Sequence, residues 1–226
     1  MICYKINMQQ EDLKQARLRR GDTQQEAATR MGVTQAYFSM LENGLRVPSF
    51  DLARKLIREY EASPTLLPLS NTPLSVTRDF LARELASLGY PGFAHLRQGA
   101  ARVSPARFLL LALAEANLEA RVAEGLPWLV FRYPGMNFDW LVQQARSKNL
   151  QNRLGFCVTL ARLAGGNASL QKPEQELLDS KREKEDSFCR ELNEPERRWL
   201  REHRSEQARE WHLLSDLRPD ALRYVP

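Results

Sequence analysis

Residues 23–44 read TQQEAATRMGVTQAYFSMLENG, and the order of small, apolar and turn-forming residues in this stretch decides how the first quarter of the chain folds. Two short helices that cross steeply need a small residue where they touch, a permissive backbone in the turn, and apolar residues fastening both to a core. Ala28, Gly32 and the pair Phe38 and Leu41 supply these in the required order. Thr23 is placed to cap the first helix. Gly32 can end it in the left-handed conformation without a Cβ penalty, and Val33 then closes over the core. Gln35, Ala36, Tyr37, Ser39 and Met40 are left to point outward. Upstream, Leu13, Ala16 and Leu18 predict a preceding helix; downstream, Phe50, Leu52, Leu56, Ile57 and Tyr60 predict one or two more. The expectation is an all-α, five-helix domain over residues 1–62.

Further matches extend the motif: Arg17-Leu-Arg-Arg-Gly21, Thr23-Gln24, Ala28, Met31-Gly-Val33, and Leu41-Glu-Asn-Gly44 followed by Pro48-Ser49. In these residues the stretch from Leu13 to Tyr60 resembles the Cro/Xre family of helix-turn-helix DNA-binding domains, with their lambda-repressor-like fold. Ala27 stands where a larger aliphatic residue is common in that family, and Met40 where a polar or basic one is common. The resemblance implies that the second helix of the motif enters the major groove, with Gln35, Ala36, Tyr37 and Met40 reading bases. A glutamine amide can pair adenine N6 and N7, and a methionine can meet a thymine methyl. Gln24, Ser39, Asn43 and Arg46 fall to phosphate contacts, and Arg17, Arg19 and Arg20 are either added charge or a solvated helix face. Sites of this kind are read by dimers with half-sites about 34 Å apart, so a homodimer on double-stranded DNA is expected.

Beyond the motif, the 226 residues carry a net charge of +5, with 43% apolar and 27% charged residues. Residues 1–62 hold 10 basic and 8 acidic side chains, residues 63–170 hold 11 and 6, and residues 171–226 hold 12 and 14. The basic excess therefore sits in the middle. Ser63 to Thr77, with Pro64, Pro68 and Pro73, reads as a connector. It is followed by a helical domain over residues 78–166 and a charged helical extension over 167–226. Helices are predicted through Phe80 to Leu88, from Pro105 through Leu118, from Phe138 with Asn137 as cap, and through Leu150 to Ala161. Glu174 to Leu192 and Pro195 to Leu214 read as two more, with Lys181 to Asp186 as an exposed, locally paired helix face. Trp128, Trp140, Trp199 and Trp211 fall on apolar faces, where packing is the default.

Within residues 104–164, FDWLVQQARSKNLQNRLGFCVTLARLAG has Arg146, Lys148 and Arg153 leading into Leu154-Gly155-Phe156. This resembles the C-terminal domain of AbiEi-type antitoxins, which are paired with nucleotidyltransferase-like toxins. That resemblance implies a repressor of its own operon with a cognate toxin as partner. A repressor whose helical domain dimerises or senses an effector is the alternative without a toxin.

An enzyme reading has one foothold, Arg198 five residues before His203, a spacing found in ribonucleases of the HEPN family. With 26 arginines in the chain, chance produces such a pair readily. His203 and His212 are too far apart for one metal site, and no phosphate-cradling glycine loop is present. Cys3, Cys157 and Cys189 are widely spaced and read as free thiols. No apolar run approaches the roughly 20 residues of a membrane span, and no secretory signal opens the chain. The expectations are a cytoplasmic DNA-binding regulator, no catalysis, no cofactor, no metal and no membrane.

Overall fold

The computed structural model describes residues 8–69 and 76–225, and the side chains of the first helix from Leu13 onward. Among the described residues the chain is mostly helical, with one parallel pair of two-residue strands. It divides into two compact units. One comprises residues up to Thr72 with Gly99–Pro105, and the other Pro73–Gln98 with Ala106 onward.

In the N-terminal unit, helices α1 (Met8–Arg20), α2 (Gln24–Met31), α3 (Gln35–Glu42) and α4 (Phe50–Tyr60) enclose a core of Leu13, Ala16, Ala27, Ala28, Met31, Phe38, Leu41, Leu56 and Tyr60. The element in fifth place is a single 3₁₀ turn, Pro64–Leu66. Its Leu66 belongs to this core, and Thr65 and Leu67 are buried as well, so Ser63–Leu67 is part of the domain rather than a free connector. Residues 70–75 of the expected connector, including Pro73, lie outside the described residues, as does Cys3. Two residues read as core face outward. Leu18 is exposed on α1, and the ring of Phe50, at the start of α4, lies under the Arg54 guanidinium instead of inside.

The C-terminal unit contains α5 (Arg78–Ser87), α6 (Pro105–Ala114, from its second residue), α7 (Ala120–Arg132), α8 (Phe138–Ser147), α9 (Gln151–Gly165) and α10 (Gln171–Leu178). These are followed by β1 (Asp186–Ser187), α11 (Glu194–His203), α12 (Glu206–Glu210) and β2 (Leu213–Leu214). Helix α9 is its axis. Residues 151–161 are all buried, as expected of a helix enclosed on every side, and α7, α8, α10 and α12 pack around it. The predicted helix through Leu118 stops at Ala114, and Trp128–Phe131 lies inside α7, beyond the internal Pro127. Asn137 caps α8, accepting from the Trp140 N–H.

No boundary separates the expected middle domain from an extension at 167–226. Trp211 is fully buried against α9, and its Nε1–H donates to Thr159 Oγ1 at 2.8 Å. The ring lies so close to Gly155 that a Cβ there would come within 2.2 Å of it, so only glycine fits.

The two long C-terminal helices are each broken. α10 ends at Leu178, and Lys181–Asp186 is a loop leading into β1. The reason is tertiary: the Asn152 side chain, buried in α9, accepts from the Arg182 N–H and donates to the Arg182 carbonyl, taking both backbone groups that a helix would use. Charges in this loop pair at long range instead of locally. Glu185 meets Arg201 and Arg204, and Asp186 meets Arg153. The second helix divides into α11 and α12 at Arg204–Ser205, where Ser205 caps the new start. Trp199 remains half exposed on α11, against its reading as core, with its ring stacked on His203. Burial in α9 raises the Cys157 thiol pKa above its ordinary value. Cys157 and Cys189 are both free.

Candidate nucleic-acid interface

Local rules fix the two helices of the motif. The Thr23 side chain accepts from the Glu26 N–H while Glu26 reaches back to the Thr23 N–H, a complete capping box. Gly32 ends α2 at φ 76° and ψ 33°, its N–H and that of Val33 returning to Thr29 and Ala28 carbonyls. Thr34 then caps α3 by accepting from the Tyr37 N–H. The elbow is thus built from hydrogen bonds that the sequence itself supplies.

A buried ion pair ties the pieces together. Arg17 of α1 donates through Nε to Glu42 Oε1 at 2.7 Å and through Nη2 to Oε2 at 3.3 Å, while its Nη1 donates to the Asp22 carbonyl. Gln24, the first residue of α2, donates to Glu42 Oε2 at 2.7 Å. The side chains of Arg17 and Glu42 are 8% and 2% exposed, so this cluster is internal. Arg17 is therefore not a solvated charge, and Gln24 has one of its two amide hydrogens committed inward. Glu42 is the buried link of the motif that sequence reasoning passed over. In the sequence it stands within the match Leu41-Glu-Asn-Gly44, and in the structure it links α1, α2 and α3.

Asp22 organises the opposite end of the motif. Tyr60 donates to its carboxylate at 2.7 Å and Arg30 at 3.2 Å. The Tyr60 bond, with further help from Arg30 and Arg20 against the opposing effect of desolvation, holds the Asp22 pKa below its ordinary value. Arg20 bonds the Glu59 carbonyl and approaches Asp22 and Glu59 at 3.9 Å. Of the basic side chains of this domain, Arg17, Arg20, Arg30 and Arg58 are thus balanced by carboxylates.

What remains facing outward from α3 is nearly uncharged. With 100° per residue, buried Phe38, Leu41 and Glu42 fix the inward side, and the opposite side centres on Ala36 and Met40, one turn apart. Gln35 and Ser39 flank that centre on one edge. Tyr37 flanks the other and is half-buried against the core. Gln35, Ala36 and Met40 are exposed and share one stripe, whereas Tyr37, the fourth side chain expected to read bases, is half-buried at its edge.

The phosphate set is less uniform. Asn43 turns its amide donor back onto the Ser39 carbonyl at 2.8 Å and Ser39 Oγ at 3.3 Å, closing the end of α3. Arg46 follows in an exposed loop and has no hydrogen-bond or carboxylate partner among the described residues. It is bracketed by Leu45 and Val47, which are 60% and 71% exposed. Together with Met40 they add exposed apolar surface beside Arg46, a feature absent from the sequence reading because loop residues carry no periodicity to show which way they face.

The other sequence candidates fall in the C-terminal unit. Of the three basic residues that carried the antitoxin resemblance, Arg153 is buried, and Arg146 is bonded to Ser180 Oγ and the Glu176 carbonyl. Lys148 alone is exposed and unpaired among the described residues. Arg198 and His203 both lie on α11, about 140° apart around its axis at 100° per residue. His203 Nδ1 lies 2.8 Å from the Trp199 carbonyl. No helix among the described residues is long and apolar enough to cross a membrane.

Neither a curated protein nor a solved structure matches the chain. Residues 13–67 match a family model described as Helix-turn-helix, of the Cro/C1 type. That span covers α2 and α3 and ends at Leu67, where the buried 3₁₀ turn closes the core. The N-terminal unit is accordingly a Cro/C1-type helix-turn-helix domain, and the chain carries the DNA-binding module of a transcription regulator.

Proposed function

We propose that the chain recognises a specific duplex DNA sequence as a homodimer and represses transcription from that site, its own promoter included. The observation that carries this reading is the outward stripe of α3. Gln35, Ala36 and Met40 stand exposed on a helix whose other side is clamped by Arg17, Gln24 and Glu42. A rigid helix with few charges discriminates bases by shape and hydrogen bonding, while Arg46 and the remaining Gln24 hydrogen supply backbone contacts. Because Ala36 and Met40 occupy the centre of the stripe, the central contact is apolar, and thymine methyls are its natural target. Gln35 at the edge reads an adenine. One such helix covers few base pairs, so two copies on half-sites about 34 Å apart provide the specificity. The toxin pairing implied by the C-terminal resemblance is a second duty of the same regulator. Rescue of cells from a neighbouring nucleotidyltransferase-like protein would support that duty.

The test is binding of the full chain to its upstream DNA and to random DNA at one salt concentration. Gln35→Ala should cost about 1–3 kcal/mol on the specific site only, whereas Arg46→Ala should weaken all sequences alike. Replacing the contacted thymines with uracil, which lacks the methyl group, should lower the affinity of the unmodified chain but not of Met40→Ala. Equal binding of promoter and random DNA by the unmodified chain would refute the proposal.

A further inference from the structure

The C-terminal unit contains a cleft of about 540 Å³, within the range of small-molecule sites. Its walls come from the α8–α9 junction (Lys148, Asn149, Leu150, Asn152), from the loop and strand around β1 (Arg182, Lys184, Glu185, Asp186, Ser187, Arg190), and from Arg197 of α11. Five of these side chains are cations and two are anions.

The two carboxylates are already occupied. Asp186 receives Arg153 Nε at 2.9 Å on one oxygen and Nη2 at 2.8 Å on the other. Glu185 receives Arg201 on both oxygens, at 2.9 and 3.2 Å, with Arg204 at 3.9 Å. Arg153, Arg201 and Arg204 lie outside the cleft lining, so they neutralise its acids without using its cations. The side chains of Lys148, Arg182, Lys184 and Arg190 have no carboxylate or hydrogen-bond partner among the described residues. Like charges gathered in one concave space repel one another and raise the local affinity for an anion.

Two of the cations have fixed supports. The Arg182 backbone is held by two bonds to Asn152, whose side chain is buried. The Arg197 guanidinium is anchored on the Leu192 and Arg190 carbonyls, which satisfy hydrogens but leave its charge uncancelled. The first turn of α9 forms part of the wall, and no side chain caps it. Its positive end adds to the same field. The lining contains no aromatic ring on which a base could stack, so recognition is directed at the charged part of a ligand.

We infer that this cleft binds a small ligand bearing two or more linked phosphoryl groups. Five cations gathered around a bounded cavity suit a compact oligophosphate better than a nucleic-acid backbone, which is tracked by a continuous groove.

The experiment is calorimetric titration of the full chain with inorganic tripolyphosphate, with sulfate and with a single-stranded hexanucleotide. Tripolyphosphate should bind with one site per chain and sulfate at least tenfold more weakly. The double variant Lys184→Ala/Arg190→Ala changes two exposed side chains and should weaken tripolyphosphate at least tenfold. Arg198→Ala/Arg218→Ala removes the same charge outside the cleft and should change its affinity less than twofold. Circular dichroism unchanged from the unmodified chain confirms that each double variant is folded. The inference is overturned by no tripolyphosphate binding, by equal weakening in both double variants, or by a hexanucleotide that binds more tightly and loses affinity on Lys184→Ala/Arg190→Ala.

Discussion

In the N-terminal unit Arg17 reaches from α1 to Glu42 at the end of α3; in the C-terminal unit Arg153 reaches from α9 to Asp186 in β1. Both guanidiniums are buried, but their partners differ. Glu42 is sealed and also takes Gln24, so the charges cancel beneath a recognition helix whose outer stripe is nearly neutral. The Asp186 side chain is 29% exposed and lines the cleft, so Arg153 quenches an acid that would otherwise sit among cations. The same pairing thus clears charge from under the outward stripe of α3 in one unit and clears negative charge from a pocket in the other. Segment totals miss this, because residues 171–226 have more acids than bases yet contribute four of the five cleft cations.

The comparison is sharpened most by removing each arginine. Arg153→Met should have the largest effect, about 4 kcal/mol, because Asp186 loses its bidentate partner and the Leu113 and Glu115 carbonyls lose a shared donor. Urea denaturation followed by circular dichroism measures it, and the tryptophan fluorescence change should follow the same weakened transition, since Trp211 packs on α9.

Arg17→Met should cost somewhat less, about 3 kcal/mol, by stranding the buried Glu42 carboxylate. Adding Glu42→Leu should recover most of that loss of stability, since a buried ion pair replaced by apolar residues is often close to neutral. Specific DNA affinity should not recover with it, because Gln24 would have lost its acceptor. Recovery of both together would mean that the cluster only stabilises the domain and does not position it.

The two units also differ in how much of them the sequence made legible. Thr23, Gly32, Thr34, Phe38 and Leu41 act on neighbours within a few residues, so caps, turn and inward faces follow from local spacing. The stretch from Leu178 to Asn193 depends on Asn152, Arg153, Arg201 and Asn117, all far along the chain, and its charge pattern resembles a solvated helix until those partners are known. The stripe of α3 was readable for the same reason as its caps. The Arg17–Glu42 link was not, since it spans 25 residues and its members look like surface charges. A local feature should therefore have a local cost: Thr23→Ala removes one half of a capping box and should destabilise by about 1 kcal/mol in the same denaturation assay.

The smallest expected effect concerns the second acidic centre of the N-terminal unit, Asp22, which unlike Glu42 lies at the edge of the domain. Its lowered pKa is due first to the Tyr60 hydroxyl and then to Arg30 and Arg20, against desolvation. A carboxylate whose pKa is lower in the folded than in the unfolded state contributes stability that is fully present above its unfolded value. That contribution is lost as pH falls through the folded value. Tyr60→Phe keeps the ring in the core and the Arg20 guanidinium over it, but removes the strongest of these influences. The Asp22 pKa should then rise toward its ordinary value, and acid unfolding should begin at a higher pH in Tyr60→Phe than in the unmodified chain. Asp22→Ala removes the acceptor altogether and should flatten the same acid limb, and Tyr60→Phe made in that background should shift it no further. A Tyr60→Phe shift that persists with Ala at position 22 would assign the effect to packing of the ring and remove Asp22 from the account.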